Sequence, residues 1–109
     1  MSKENKELIE ELEEDLDIDK YKFSKPVEFE GEEYKEIILN LEDMTGKDIK
    51  EVSSELLAKG EVIGLAETNK NFLAALAAKS AGLPTEFMDY VPAKDFSKIT
   101  ILVQNFLLG

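Results

Sequence analysis

The chain has no cysteine, no histidine and no tryptophan, and all 13 of its basic residues are lysine, so arginine is absent too. Each absence closes off a class of chemistry. Without cysteine there is no disulfide and no thiolate nucleophile, which fits a reducing cytoplasm. Without histidine there is no side chain whose ordinary pKa lies near neutrality for proton transfer. Without arginine the planar fork best suited to gripping phosphate or carboxylate is missing. No apolar run approaches a membrane span, and the N-terminus shows no basic-then-apolar leader, so a soluble, unexported protein is expected. There is no glycine-rich phosphate loop and no zinc-ligand spacing. Enzymatic activity is therefore not expected, and neither is a cofactor or metal. A small carboxylate-metal hydrolase is the remote enzymatic alternative.

What is present is acid. Twenty-four acidic residues against 13 lysines give a formal charge of −11, which disfavours phosphate backbones and excludes nucleic acid as an expected ligand. Residues 1–19 hold nine of the acids and only two lysines. Within this segment Leu8, Ile9, Leu12 and Leu16 keep helical spacing, which predicts an amphipathic helix over Ser2 to Leu16. Like charges at Glu7 and Glu11, and at Glu10 and Glu14, oppose it, so it needs packing against something else to persist. Asp15, Asp17 and Asp19 imitate the start of a calcium loop. The sixth position is Lys20 instead of glycine and the twelfth is Pro26 instead of glutamate, which removes the match. The organisation expected is an acidic amphipathic segment over residues 1–20 followed by one domain over 21–109. A chain of this size buries roughly 65% of its unfolded surface around a single core.

From Lys25 to Leu41, Val27 and Phe29 alternate before Gly31, and Ile37, Leu39 and Leu41 alternate after it, which predicts a β-hairpin. Thr45 and Asp48 have capping-box spacing, and a helix follows with Ile49, Val52 and Leu56 on one face. Glu61 to Thr68 shows no clear periodicity. Asn69 to Ala81 reads as an alanine-rich helix with Phe72, Leu73, Leu76 and Ala77 inward and Gly82 as its stop. Thr85 is expected to cap a short helical turn over Glu86 to Tyr90, which Pro92 ends.

The last eighteen residues form an apolar helix. Phe96, Ile99, Leu102, Val103, Phe106 and Leu107 fall on one arc of about 140°, wide enough to cover one side of a core. Ile101 and Leu108 lie outside it, among Ser97, Gln104 and Asn105, so they face a neighbouring helix, solvent or another chain. Asp48 and Asp95 each open a helix, where a carboxylate stabilises the positive end. The architecture expected is α+β: an N-terminal helix, one antiparallel hairpin and a bundle of three to four helices. Its expected core is Val27, Phe29, Leu39, Ile49, Val52, Leu56, Phe72, Leu76, Phe96, Ile99, Val103 and Phe106. A lone hairpin is marginal in water, so it must lie on the helices or pair its edge with another strand, a second route to oligomers.

The order of these signals is itself informative. Lys25-Pro-Val-Glu-Phe-Glu-Gly31 is followed by Thr45-Gly-Lys-Asp48, then by a helix ending Ala81-Gly-Leu-Pro84, then by Ala93-Lys-Asp-Phe96 opening a helix that ends in Phe106-Leu107. Over roughly residues 24–108 this resembles the tail assembly chaperone family of tailed phages and prophages. The resemblance implies a non-enzymatic protein that coats the tape measure protein and keeps it soluble until tail tube subunits polymerise around it. It implies action in the cytoplasm of the bacterial host and absence from the mature virion, with homo-oligomers and tail tube subunits as further contacts. Ile101, Leu108 and the exposed rim of Phe106 and Leu107 are then the expected partner-binding residues, while Thr45, Asp48 and Asp95 stabilise helix starts. The alternative is an acidic mimic of DNA that occupies a nucleic-acid-binding protein. It fits less well, because the carboxylates cluster in one terminal segment instead of spreading at phosphate-like intervals.

Overall fold

The computed structural model describes residues 19–109, so the helix expected over Ser2 to Leu16 lies outside the described residues. The architecture is α+β, an antiparallel hairpin followed by helices. Strand β1 (Asp19–Phe29) pairs with β2 (Glu32–Leu39). Glu30 and Gly31 join them with φ of 50° and 81°, the two left-handed positions of a tight hairpin turn, and only glycine takes such a position without strain. The strand begins six residues earlier than the Lys25 start expected from alternation, because Lys20-Tyr21-Lys22-Phe23 also alternates polar and apolar. Val27, Phe29, Ile37 and Leu39 are buried toward the helices. Lys20, Lys22, Glu28, Glu33 and Glu36 are exposed, with Lys20 Nζ 3.4 Å from Glu36.

The ladder has one interruption. Lys22 pairs with Glu36, but the next pair is Val27 with Tyr34, so four residues of β1 oppose one of β2. Pro26, which has no N–H to give, sits in this bulge. Ser24 sits there too, and its N–H turns elsewhere.

Helix α1 (Gly46–Ala58) buries Val52 and Leu56 and half-buries Ile49. Helix α2 (Lys70–Ser80) is the centre of the domain: every residue from Phe72 to Ala78 is buried. A helix apolar all round must be enclosed, and its alanines let α1, β2 and the closing helix approach from different sides. Asn69 fixes its start by accepting the Phe72 N–H at 2.9 Å, while its Nδ2 donates to the Ile63 carbonyl at 2.9 Å and so ties down the irregular stretch before it. Within that stretch only Ala66–Thr68 turns, as a short 3-10 helix. Gly82, at φ 73°, ends α2: the Leu83 N–H reaches the Ala78 carbonyl at 2.9 Å and the Gly82 N–H that of Lys79 at 3.0 Å.

Two expectations are corrected in the next segment. Thr85 does not cap the turn that follows. Pro84 precedes a 3-10 helix over Thr85–Tyr90, and the Thr85 hydroxyl donates to Glu55 Oε1 at 3.0 Å. That turn also delivers Phe87, absent from the expected core, to its middle. Phe87 is fully buried, with the rings of Tyr34, Phe29 and Phe23 at 5.0, 5.4 and 6.0 Å between centroids.

The closing helix α3 (Ala93–Leu108) is turned relative to its expected setting. Ile99 and Val103 are buried, and Phe96 and Leu107 are half-buried. Asp95 and Thr100 are buried as well, while Leu102 and Phe106, both expected to face inward, are exposed. The reason is local. Asp95, Leu102 and Phe106 lie along one flank of the helix, and β1 covers that flank only at its first turn.

Candidate functional site

The chemistry of α3 begins at Asp95. Its carboxylate accepts from the Tyr21 hydroxyl at 2.8 Å, the Ser24 hydroxyl at 2.7 Å and the Ser24 N–H at 3.0 Å. The bulge in β1 is what frees that N–H from the ladder. Burial pushes the Asp95 carboxyl up, but the bonds from Ser24 and Tyr21, with the charge of Lys98, outweigh it and hold the group below its ordinary value. Burial, together with the bond and the negative charge of Asp95, drives the Tyr21 phenol up to about 12. Asp95 is 2% exposed and stands in the first turn of its helix, yet its oxygens serve the strand. At the other helix start, Asp48 Oδ2 accepts from the Thr45 N–H at 2.8 Å and from the Thr45 hydroxyl at 3.2 Å, and the first of these bonds leads in lowering the Asp48 pKa.

Beyond its first turns, α3 presents an outer face that changes character along its length. Lys94 and Lys98 occupy the first half, and among the described residues neither has a carboxylate within ion-pair distance. The second half carries Ile101 at 49%, Leu102 at 44%, Phe106 at 36% and Leu108 at 66% exposure. Leu107 instead packs partly against the core. Scattered surface aliphatics are ordinary, but here four stand on the outside of two helical turns, Ile101 and Leu108 on one side of the exposed face and Leu102 and Phe106 on the other, an apolar patch with Asn105 between its halves. Leu102 joins this set because β1 covers its flank of α3 only beside Asp95, which apolar spacing alone does not report.

A concavity of about 320 Å³ lies between α1, α2 and the 3-10 helix. Leu56, Ala74, Ala75, Met88 and Phe96 form its apolar part. Lys59 stands at its rim and bonds Glu86 at 3.2 Å and Glu55 at 3.3 Å, contacts that raise its pKa, that to Glu86 most. These exposed pairs contribute little net stability. Among the described residues no group of three carboxylates, histidines or cysteines is placed to hold a metal ion. Nor, among them, is any helix long and apolar enough to cross a membrane.

Compared with known proteins, residues 20–108 match the family described as phage tail assembly chaperone proteins, E, or 41 or 14. No curated protein and no solved structure matches. The match runs from the second residue of β1 to the last residue of α3, and so takes in the hairpin, its latch on Asp95 and the apolar patch together. By that match the chain belongs to the phage tail assembly chaperone family, and its role lies in the assembly of phage tails.

Proposed function

We propose that the protein works without catalysis, in the host cytoplasm, by covering apolar helical surface of the tape measure protein until tail tube subunits close around it. The observation that carries this is the set of four exposed apolar side chains on the second half of α3, Ile101, Leu102, Phe106 and Leu108. A long helical client that would otherwise aggregate needs such a surface to be gripped and a strong net charge to stay dispersed once coated. The formal −11 of this chain serves the second purpose.

The magnitudes favour many weak contacts over one strong contact. Completing the burial of four half-exposed side chains yields about 1 kcal/mol each, on the order of 4 kcal/mol in all. That is no more than the cost of immobilising one protein on another. A single copy therefore binds poorly, and stable coating requires neighbouring copies to touch, which gives self-association a place in the mechanism.

The test is co-expression with the tape measure protein from the same genome, comparing the native chain with Ile101→Asp combined with Leu108→Asp. Both substitutions are on the surface, so the double variant should keep its urea midpoint within about 0.5 kcal/mol of stability. The soluble client fraction and the number of copies that co-purify should each fall several-fold. If both stay unchanged while the variant remains folded, the apolar patch is not the client surface.

A further inference from the structure

We propose that the groove between α1, α2 and the 3-10 helix receives α3 of a second copy of this chain, so that copies join head to tail. Lys94, Lys98, Leu102 and Phe106 follow one another at i, i+4 and form a single ridge on the outside of α3. All four are exposed, the first two charged and the last two apolar. The groove has the matching chemistry. Leu56, Ala74, Ala75 and Met88 give it an apolar floor, and Glu61 and Asp89 line it with carboxylates. Its volume of about 320 Å³ lies at the lower end of the range of roughly 300–1,000 Å³ for pockets that hold a ligand, which suits a few side chains of a ridge.

Charge selects the occupant. Among the described residues Glu61 and Asp89 have no lysine within ion-pair distance, and Lys94 and Lys98 have no carboxylate. The groove's own lysine, Lys59, is already engaged by Glu86 and Glu55. A ridge of two lysines and two apolar side chains therefore complements two acids over an apolar floor. Geometry decides how the copies are arranged. Phe96 of α3 lines the groove, and at ~3.6 residues per turn Lys94, Lys98 and Leu102 stand about 120–160° round the helix from it. A chain therefore cannot fill its own groove, and two copies cannot fill each other's at once. Every pair leaves one ridge and one groove free, so the contact is heterologous and propagates. A propagating row suits a rod-shaped client, and in that use alone the inference rests on the client-binding reading. Leu102 and Phe106 then serve the neighbouring copy, leaving Ile101 and Leu108 to the client.

The contact can be tested on the full chain without any client. Sedimentation velocity and light scattering follow its average mass from about 10 µM to about 1 mM, the range in which so small a contact associates. The mass of the native chain should rise with concentration and pass that of a dimer. Lys94→Glu with Lys98→Glu should weaken association about tenfold, and so should Glu61→Lys with Asp89→Lys. The second result is the sharper one, because that variant carries less net negative charge and general repulsion alone predicts stronger association. Mixing the two variants should restore the rise, since the reversed ridge of one fits the reversed groove of the other and their native surfaces fit each other. Leu102→Asp should abolish it. A native chain that stays monomeric, a mass that levels off at a dimer, reversed variants that associate like the native chain, or a mixture that stays monomeric while both variants are folded by circular dichroism would each overturn the proposal. Such a failure leaves the client test at Ile101 and Leu108 standing, and failure of that test leaves the head-to-tail contact standing.

Discussion

Replacing Asp95 with alanine removes the acceptor that ties β1 to α3 and strands three donors, the Tyr21 hydroxyl and the hydroxyl and N–H of Ser24. A hydrogen bond to a charged acceptor contributes about 1.5–3 kcal/mol, so simple addition over three donors gives at least about 4.5. Two effects reduce that sum. Ser24 is exposed, so water can replace part of what it loses, and the carboxylate no longer bears the cost of its own burial. The net loss is about 2–3 kcal/mol, which for a domain of this size lowers Tm by about 10–20 °C. Asparagine keeps the shape but offers one acceptor oxygen and turns an amide toward the donors, so Asp95→Asn should cost about 1–2 kcal/mol. The assay is urea unfolding followed by circular dichroism, with a double-mutant cycle against Ser24→Ala to isolate the coupling. The carboxyl pKa is depressed in the folded state, so its contribution is complete above the unfolded value near ~4 and is lost as pH falls through the folded one. The variant should accordingly lose stability less steeply in acid than the native chain. An Asp95→Ala loss below about 0.5 kcal/mol, or zero coupling to Ser24, would refute the latch.

Tyr21 predicts the opposite limb. Its folded pKa is raised from 10.0 to about 12, so its contribution is complete below pH 10 and disappears between pH 10 and about 12. Urea midpoints across that interval should fall in the native chain and fall less in Tyr21→Phe; parallel curves would show that the phenol does not titrate late. Phe87→Ala should cost about 3–5 kcal/mol, since the ring is fully buried among three others, whereas Phe87→Leu should cost about 1.5. Thermal unfolding of both variants checks this, and an alanine penalty under about 1.5 kcal/mol would remove Phe87 from the centre of the core.

Much of the fold could be read from local pattern. Alternation around Val27, Phe29, Ile37 and Leu39 marks the hairpin, and the glycine after the alanine-rich run marks the end of α2, because both signals depend on nearest neighbours alone. Phe87 escaped because a 3-10 turn of six residues has too little periodicity to show which side is inward. The setting of α3 escaped for a different reason. Apolar spacing finds the greasiest arc of a helix, but the buried arc is decided by what lies against it, and here a strand seventy residues away reaches one flank and recruits an aspartate. The strand reaches no further along that flank, so Leu102 and Phe106 are left outside. The candidate site is thus partly visible in the sequence, through Ile101 and Leu108, and partly a product of a contact that no local pattern encodes.

The bulge in β1 also bears on whether copies of the chain can fuse edge to edge. A two-stranded sheet has two open edges, and chains held side by side at high local concentration invite a third strand to add, then a fourth. Over Phe23–Pro26 the strand opposes its partner out of step, carries a proline and has already committed the Ser24 N–H to Asp95. A strand approaching there finds a broken row of donors, so the β1 edge resists serving as a seed for amyloid-like stacking.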